Sequence, residues 1–199
     1  MKLIIVTGIP GTGKSSVSKA LSSKLGFPLV SKDAVQCELF EKYGFDNNNE
    51  KKELVRSADN ICYEKIINYF NKNEDVICDK YLKNDTFFNK IISLDNIEVI
   101  IIYLTANSET IVNRYNNRTR KERPLSMDVI NVYPFKKGIS KMWPPITLEK
   151  VVEMSNILGD FISSIDTLKI IKIDTTLFSV SEIVDELLRD GDVQNVDEI

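Results

Sequence analysis

Short apolar runs alternate along this chain with longer stretches whose apolar positions recur at helical spacing. Strand-like runs occupy residues 2–7, 28–31, 75–79, 97–104 and 168–173. Helix-like stretches occupy 14–25, 33–43, 50–72, 84–93, 107–120, 147–165 and 179–189. Alternation of this kind predicts an α/β fold, a five-stranded parallel sheet flanked by helices. Val99 to Leu104 is unbroken apolar sequence, as a strand buried on both faces requires. Ser179 followed by Glu182 has the form of a capping box and predicts where the last helix begins. Asp46 to Glu50 reads as a polar loop. Residues 124–146 hold four of the chain's six prolines and its only tryptophan. They read as a long irregular excursion, a kind of segment that is often functional. No repeat and no linker divides the chain. The pattern predicts one domain over 1–190 and an acidic, frayed tail over 191–199.

Between the first strand and the first helix stands Gly8-Ile9-Pro10-Gly11-Thr12-Gly13-Lys14-Ser15, the spacing G-x-x-x-x-G-K-S of a phosphate-binding P-loop. A strand that turns through glycines into a helix N-terminus makes an anion site. Backbone N–H groups converge there, and the helix dipole adds about half a positive charge. Glycines allow the backbone angles that such a turn needs. The spacing assigns the nucleotide phosphates to Gly8, Gly11, Thr12, Gly13, Lys14, Ser15 and Ser16. Lys14 reaches the β/γ-phosphates, and the Ser15 hydroxyl is placed to ligate Mg²⁺.

Ligands of open parallel sheets bind at the carboxyl ends of the strands. Asp79 closes the third strand, where a Walker-B carboxylate would hold the metal. Asp33 follows the second strand. It is a candidate base for an acceptor hydroxyl, and equally a helix N-cap with a partner at Gln36. Lys32 beside it reads as an exposed lysine. After the fourth strand, residues 114–123 carry five positive charges against one negative. Residues 113–124 therefore read as a lid that brings Arg118, Arg120 and Arg123 onto the transferring phosphoryl group. Tyr133, Phe135, Lys136, Lys137, Lys141 and Trp143 further on would either stack a ring and hold a phosphate or pack the loop onto the domain.

Composition narrows the chemistry. The chain of 199 residues has 43% hydrophobic and 28% charged residues and a net charge of −3, an ordinary globular composition. That balance argues against a surface coated for nonspecific duplex binding. The sequence contains no histidine, which excludes histidine catalysis and histidine metal sites. Cys37, Cys62 and Cys78 form no C-x-x-C pair and read as reduced thiols, consistent with a cytoplasmic setting. No signal-peptide pattern is present, and no run approaches the roughly 18 apolar residues of a membrane span.

Three stretches carry a resemblance. They are Gly8 to Ser15, Phe27 to Asp33 and Arg114 to Arg123. With the order of elements, they make the chain similar to the small P-loop kinases that include polynucleotide 5′-kinases, chloramphenicol phosphotransferase and zeta toxins. The resemblance implies the P-loop kinase fold with an arginine-rich lid, ATP and Mg²⁺ as cofactors, Asp33 as the acceptor-activating base, and Arg118, Arg120 and Arg123 as a donor-phosphate set. Polynucleotide kinases of this group often carry an arginine where Gln36 stands here. That difference favours a small-molecule or nucleoside-like acceptor over a nucleic-acid end. The Asp-Gly-x-Pro pattern of nucleoside monophosphate kinases and the Asp-x-Asp of shikimate kinases are both missing. The leading expectation is an ATP-dependent phosphotransferase acting on an alcohol hydroxyl. A polynucleotide 5′-hydroxyl kinase comes second, and an NTP-hydrolysing switch third. A guanine switch is disfavoured because Asn71-Lys72-Asn73-Glu74 lacks the final Asp and precedes a strand. The chain is also short for a ring-forming AAA motor.

Overall fold

The computed structural model describes residues 1–119, 121–189 and 193. Five parallel strands form one sheet: β1 (Lys2–Thr7), β2 (Leu29–Ser31), β3 (Val76–Asp79), β4 (Glu98–Thr105) and β5 (Lys169–Asp174). Their order across the sheet is β2-β3-β1-β4-β5. The helices are α1 (Lys14–Leu25), α2 (Lys32–Tyr43), α3 (Asn48–Phe70), α4 (Thr86–Ile92), α5 (Ser108–Asn116), α6 (Leu125–Asp128), α7 (Leu148–Ser163) and α8 (Val180–Arg189). The central strands are apolar between their end residues because helices cover both faces.

Side-chain alternation along each strand sends residues to two cores. Leu3, Ile5, Cys78, Ile101 and Tyr103 pack with the buried residues of α3, α4 and α7. Ile4, Val6, Ile77, Ile102 and Leu104 pack with Val17 and Leu21 of α1 and Ile183, Val184 and Leu187 of α8. Val193 is buried against this second core, although the tail was expected to fray; residues 194–199 lie outside the described residues. The expected capping box is present: Ser179 N–H donates to Glu182 at 2.8 Å, and Glu182 N–H donates to the Ser179 hydroxyl at 3.3 Å.

Two segments depart from the expected pattern. The helix predicted to reach residue 120 ends at Asn116, with Asn117 as its C-cap, so Arg118 and Arg123 lie beyond the helix. The 124–146 excursion is also less irregular than expected. It contains α6 and two isolated bridges, Phe45 with Tyr133 and Val129 with Met142. Phe40, Phe45 and Val129 form a third small core that fastens the segment to α2 and α3. Among the described residues, no helix is long and apolar enough to cross a membrane.

Candidate active site

Strand register brings the chemistry together. Val6 and Ser31 both pair with Asp79, and Thr105 pairs with Asp174. β1, β2 and β3 end within a residue of one another while β4 and β5 run two to three residues further, and the residues that follow the five strands lie along one rim of the sheet.

On that rim the P-loop runs from Gly8 into α1. At Gly8 φ is +154°, and a Cβ would lie 2.5 Å from the Leu104 carbonyl oxygen. At Gly11 φ is +98°, and a Cβ would lie 2.9 Å from the Ile111 carbonyl oxygen. Neither position tolerates a side chain, so the loop is pressed against both β4 and α5. No side chain caps α1 at Gly13, which leaves the first amides of the helix free to bind an anion. The loop closes on the Ile9 carbonyl. That oxygen accepts from the Thr12 hydroxyl at 2.9 Å and from Lys14 Nζ at 3.2 Å. Thr12 is thus buried and turned inward, so its side chain shapes the loop, while Ser15 and Ser16 are exposed.

Lys14, Asp79, Asp33 and Arg118 act on one another. Burial holds the Lys14 ammonium below the ordinary lysine range; Asp79 and then Asp33 oppose this, and Arg118 adds to it. Burial pushes the Asp79 carboxyl up. Lys14 opposes that shift, as do hydrogen bonds from the Ser15 and Ser31 hydroxyls; the Ser31 bond is 3.5 Å long. Burial lowers Arg118 and the Arg123 charge adds to this, while Tyr115 and Asp33 favour its charged form. Four residues from four separate stretches of chain therefore share one site. Ser15 and Asp79 are hydrogen-bonded hard oxygen donors beside a phosphate loop. This donor set fits Mg²⁺, which takes few protein ligands and completes its shell with water and phosphate oxygens.

Several expectations need correction. Asp33 is not the N-cap of α2. Ser31 is, with its hydroxyl accepting from the Ala34 amide at 3.5 Å, because β2 passes into the helix with no intervening loop. Gln36 makes no capping contact and its amide points to the Met127 sulfur. Lys32 is not an exposed lysine: its side chain is 12% exposed, and Nζ lies 2.8 Å from Asp59. The same carboxylate lies 2.6 Å from Lys80 Nζ, whose side chain is fully buried. Arg123 already has partners of its own, with its guanidinium paired to Asp128 and donating to the Met127 carbonyl at 3.4 Å. It remains near Arg118 because both stack on the Tyr115 ring, at 5.0 and 5.2 Å. Arg120 lies outside the described residues. Tyr133 packs against Phe45, while Trp143 remains half exposed with its ring over the Lys51 ammonium.

Three features were missed. Ser31 gives no signal beyond ending a strand. The Lys80–Asp59 pair joins residues 21 apart, and single-sequence spacing cannot reveal it. Thr175, in the turn after β5, belongs to no motif that spacing could reveal.

A family model described as an AAA domain matches residues 4–129, well over half of the chain. The shikimate kinase of Dehalococcoides mccartyi is 34% identical over 125 residues; the match covers 61% of this chain and 66% of that protein, just under two thirds of its length. A probable thymidylate kinase of Methanocaldococcus jannaschii is 25% identical, with 97% and 96% covered. Deoxyadenosine kinase of M. mycoides shares the fold at a TM-score of 0.56 and 18% identity, covering 98% of this chain and all of that one. With its five-stranded parallel sheet, P-loop and flanking helices, the chain has the P-loop kinase fold and belongs to the AAA-domain family.

Proposed function

We propose that this chain is an ATP-dependent, Mg²⁺-requiring kinase that moves the γ-phosphate to an alcohol hydroxyl of a small-molecule or nucleoside-like acceptor. The observation that carries this reading is the meeting of Lys14, Asp79, Asp33 and Arg118 at one rim, each shifting the ionisation of another. A site built only to hold a nucleotide has no use for an exposed carboxylate facing a lid arginine.

Phosphoryl transfer needs positioning and charge neutralisation more than covalent help from the protein. The P-loop amides and Lys14 hold the donor phosphates. Ser15 and Asp79 would hold Mg²⁺, which supplies charge neutralisation on the phosphate oxygens when bound. Asp33 sits in the first turn of α2 and accepts the acceptor's hydroxyl proton while that oxygen bonds to the γ-phosphorus. The bond from phosphorus to the β–γ bridging oxygen breaks, and ADP leaves with the electron pair. Arg118 meets the charge that spreads over the transferring group, an interaction stronger in the transition state than in the ground state. Lys80, Asp59 and Lys32 brace the start of α2, so Asp33 is set on a rigid element.

The finer assignment to the group of polynucleotide 5′-kinases, chloramphenicol phosphotransferase and zeta toxins rests on the Phe27–Asp33 and lid stretches. Gln36 and the packing of Tyr133 on Phe45 favour a small acceptor over a nucleic-acid strand. The missing Asp-x-Asp argues against shikimate itself. Three free cysteines fit a cytoplasmic enzyme. The test is a transfer screen with γ-labelled ATP against nucleosides, sugars, hydroxy acids, antibiotics and 5′-hydroxyl oligonucleotides, with Lys14→Ala as control. Label should move to one small-molecule class and not at all with Lys14→Ala. Exclusive labelling of oligonucleotides would establish the second reading, and label released only as phosphate would establish an NTP switch.

A further inference from the structure

We infer that Thr175 is a positioning residue for the nucleotide site, joining the root of the lid to the P-loop through its hydroxyl. Thr175 follows β5 and is 3% exposed. Its hydroxyl donates to the Thr12 carbonyl of the P-loop at 3.1 Å and accepts from Arg114 Nη1 at 3.0 Å. The second Arg114 terminal nitrogen donates to the Thr175 carbonyl at 2.8 Å, and the Thr175 amide donates to the Thr105 carbonyl at 2.8 Å. Every polar group of Thr175 is thus engaged, each with a different function in the joint.

The neighbouring residues build the same connection. Asp174 accepts from the Thr176 amide at 2.8 Å, and the Thr176 hydroxyl accepts from the amide of Asn107, the N-cap of α5, at 2.9 Å. The turn after β5 therefore grips α5 at its start through Thr176 and near its end through Arg114. The P-loop already rests on α5 where Gly11 meets Ile111. Lid root and phosphate loop are locked into one unit before any ligand arrives, and a preformed loop binds nucleotide without paying for its own ordering. Arg114 belongs to the basic stretch, yet both of its described hydrogen bonds end on Thr175. It acts on the nucleotide through the threonine.

The test measures Mg·ADP binding by calorimetry in the full-length protein, so it is independent of whether any acceptor is phosphorylated. Thr175→Val keeps the shape and removes the hydroxyl, leaving a buried carbonyl and a guanidinium N–H unpaired; affinity should fall about tenfold. Thr175→Ser restores the hydroxyl and should bind within about twofold of the parent. Arg114→Met should weaken binding, and the loss in the Thr175→Val/Arg114→Met double variant should be clearly less than the sum of the two single losses. Unchanged affinity in Thr175→Val would overturn the inference. So would equal losses in Val and Ser, or losses that add, since additivity means Arg114 touches nucleotide directly. If Thr175→Val does not fold, amide exchange in nucleotide-free Arg114→Met decides. Faster exchange over residues 9–16 is the expected result, and parental exchange refutes the connection.

Discussion

At the scale of single residues, the site separates arginines that composition treats alike. Arg118 and Arg123 stack on the same Tyr115 ring, but only Arg123 has a carboxylate partner, Asp128. Arg118 is left to interact with Asp33 and Lys14. Arg118→Ala should therefore lower kcat by roughly 10²-fold or more with little change in thermal stability, by analogy with the loss of one preorganised charge-stabilising donor. Arg123→Ala should act mainly on stability, because it removes a largely buried pair that ties the turn before α6 to that helix. Steady-state kinetics beside thermal melts of both variants separate the two roles. A kcat loss confined to Arg123→Ala would reverse the assignment.

At the scale of elements, the start of α2 is held by charge rather than by apolar packing alone. Asp59 of α3 bonds Lys32 and Lys80 at once, so α2, α3 and the end of β3 meet on one carboxylate. Those bonds hold the Asp59 carboxyl below its ordinary value although burial opposes the shift. Removing one partner of a buried pair is costly because the other charge stays buried. Asp59→Asn should lose about 3 kcal/mol or more in urea denaturation, far beyond the effect of neutralising an exposed residue such as Glu153. A loss below about 1 kcal/mol would mean that the helices are held without this network. The helix and strand pattern was readable because apolar spacing reports local burial, and the capping box because it joins residues three apart. The Asp59 network was not readable, since it joins distant residues of unremarkable type. The early end of α5 was missed for a related reason: Asn117 terminates the helix within a run that composition marks only as basic.

At the scale of the whole molecule, the chain divides into a sheet with two cores and a third small core that carries the 124–146 segment on α2 and α3. Lys51 stands at that joint. Its ammonium lies over the rings of Phe40, Phe45 and Trp143, at 5.5, 5.3 and 5.9 Å, and donates to the Val129 carbonyl. Burial, with Arg123 adding to it and Asp128 opposing, pushes this lysine down to about 8. Between that value and the ordinary lysine value near 10.5, the unfolded chain binds a proton that the folded one does not. The contribution of Lys51 to stability therefore rises with pH across this window. The stability of the parent relative to Lys51→Met should increase from pH 8 to pH 10, as read by urea midpoints. A flat difference would mean that the amine does not titrate there. The aromatic and basic residues of this segment were visible in the sequence, but their direction was not, because a cage round a lysine and a stacking platform have the same composition. The phosphate loop was legible because its function fixes spacing. The acceptor side has no comparable motif, and Asp33 is where the account is most exposed. Since Ser31 caps α2, Asp33→Asn should leave the melting temperature and Mg·ADP affinity close to the parent. Phosphate transfer from labelled ATP to the acceptor identified by screening should fall by roughly 10²–10⁴-fold if the carboxylate takes the hydroxyl proton. Transfer at the parental rate in a folded, nucleotide-binding Asp33→Asn protein would contradict the mechanism.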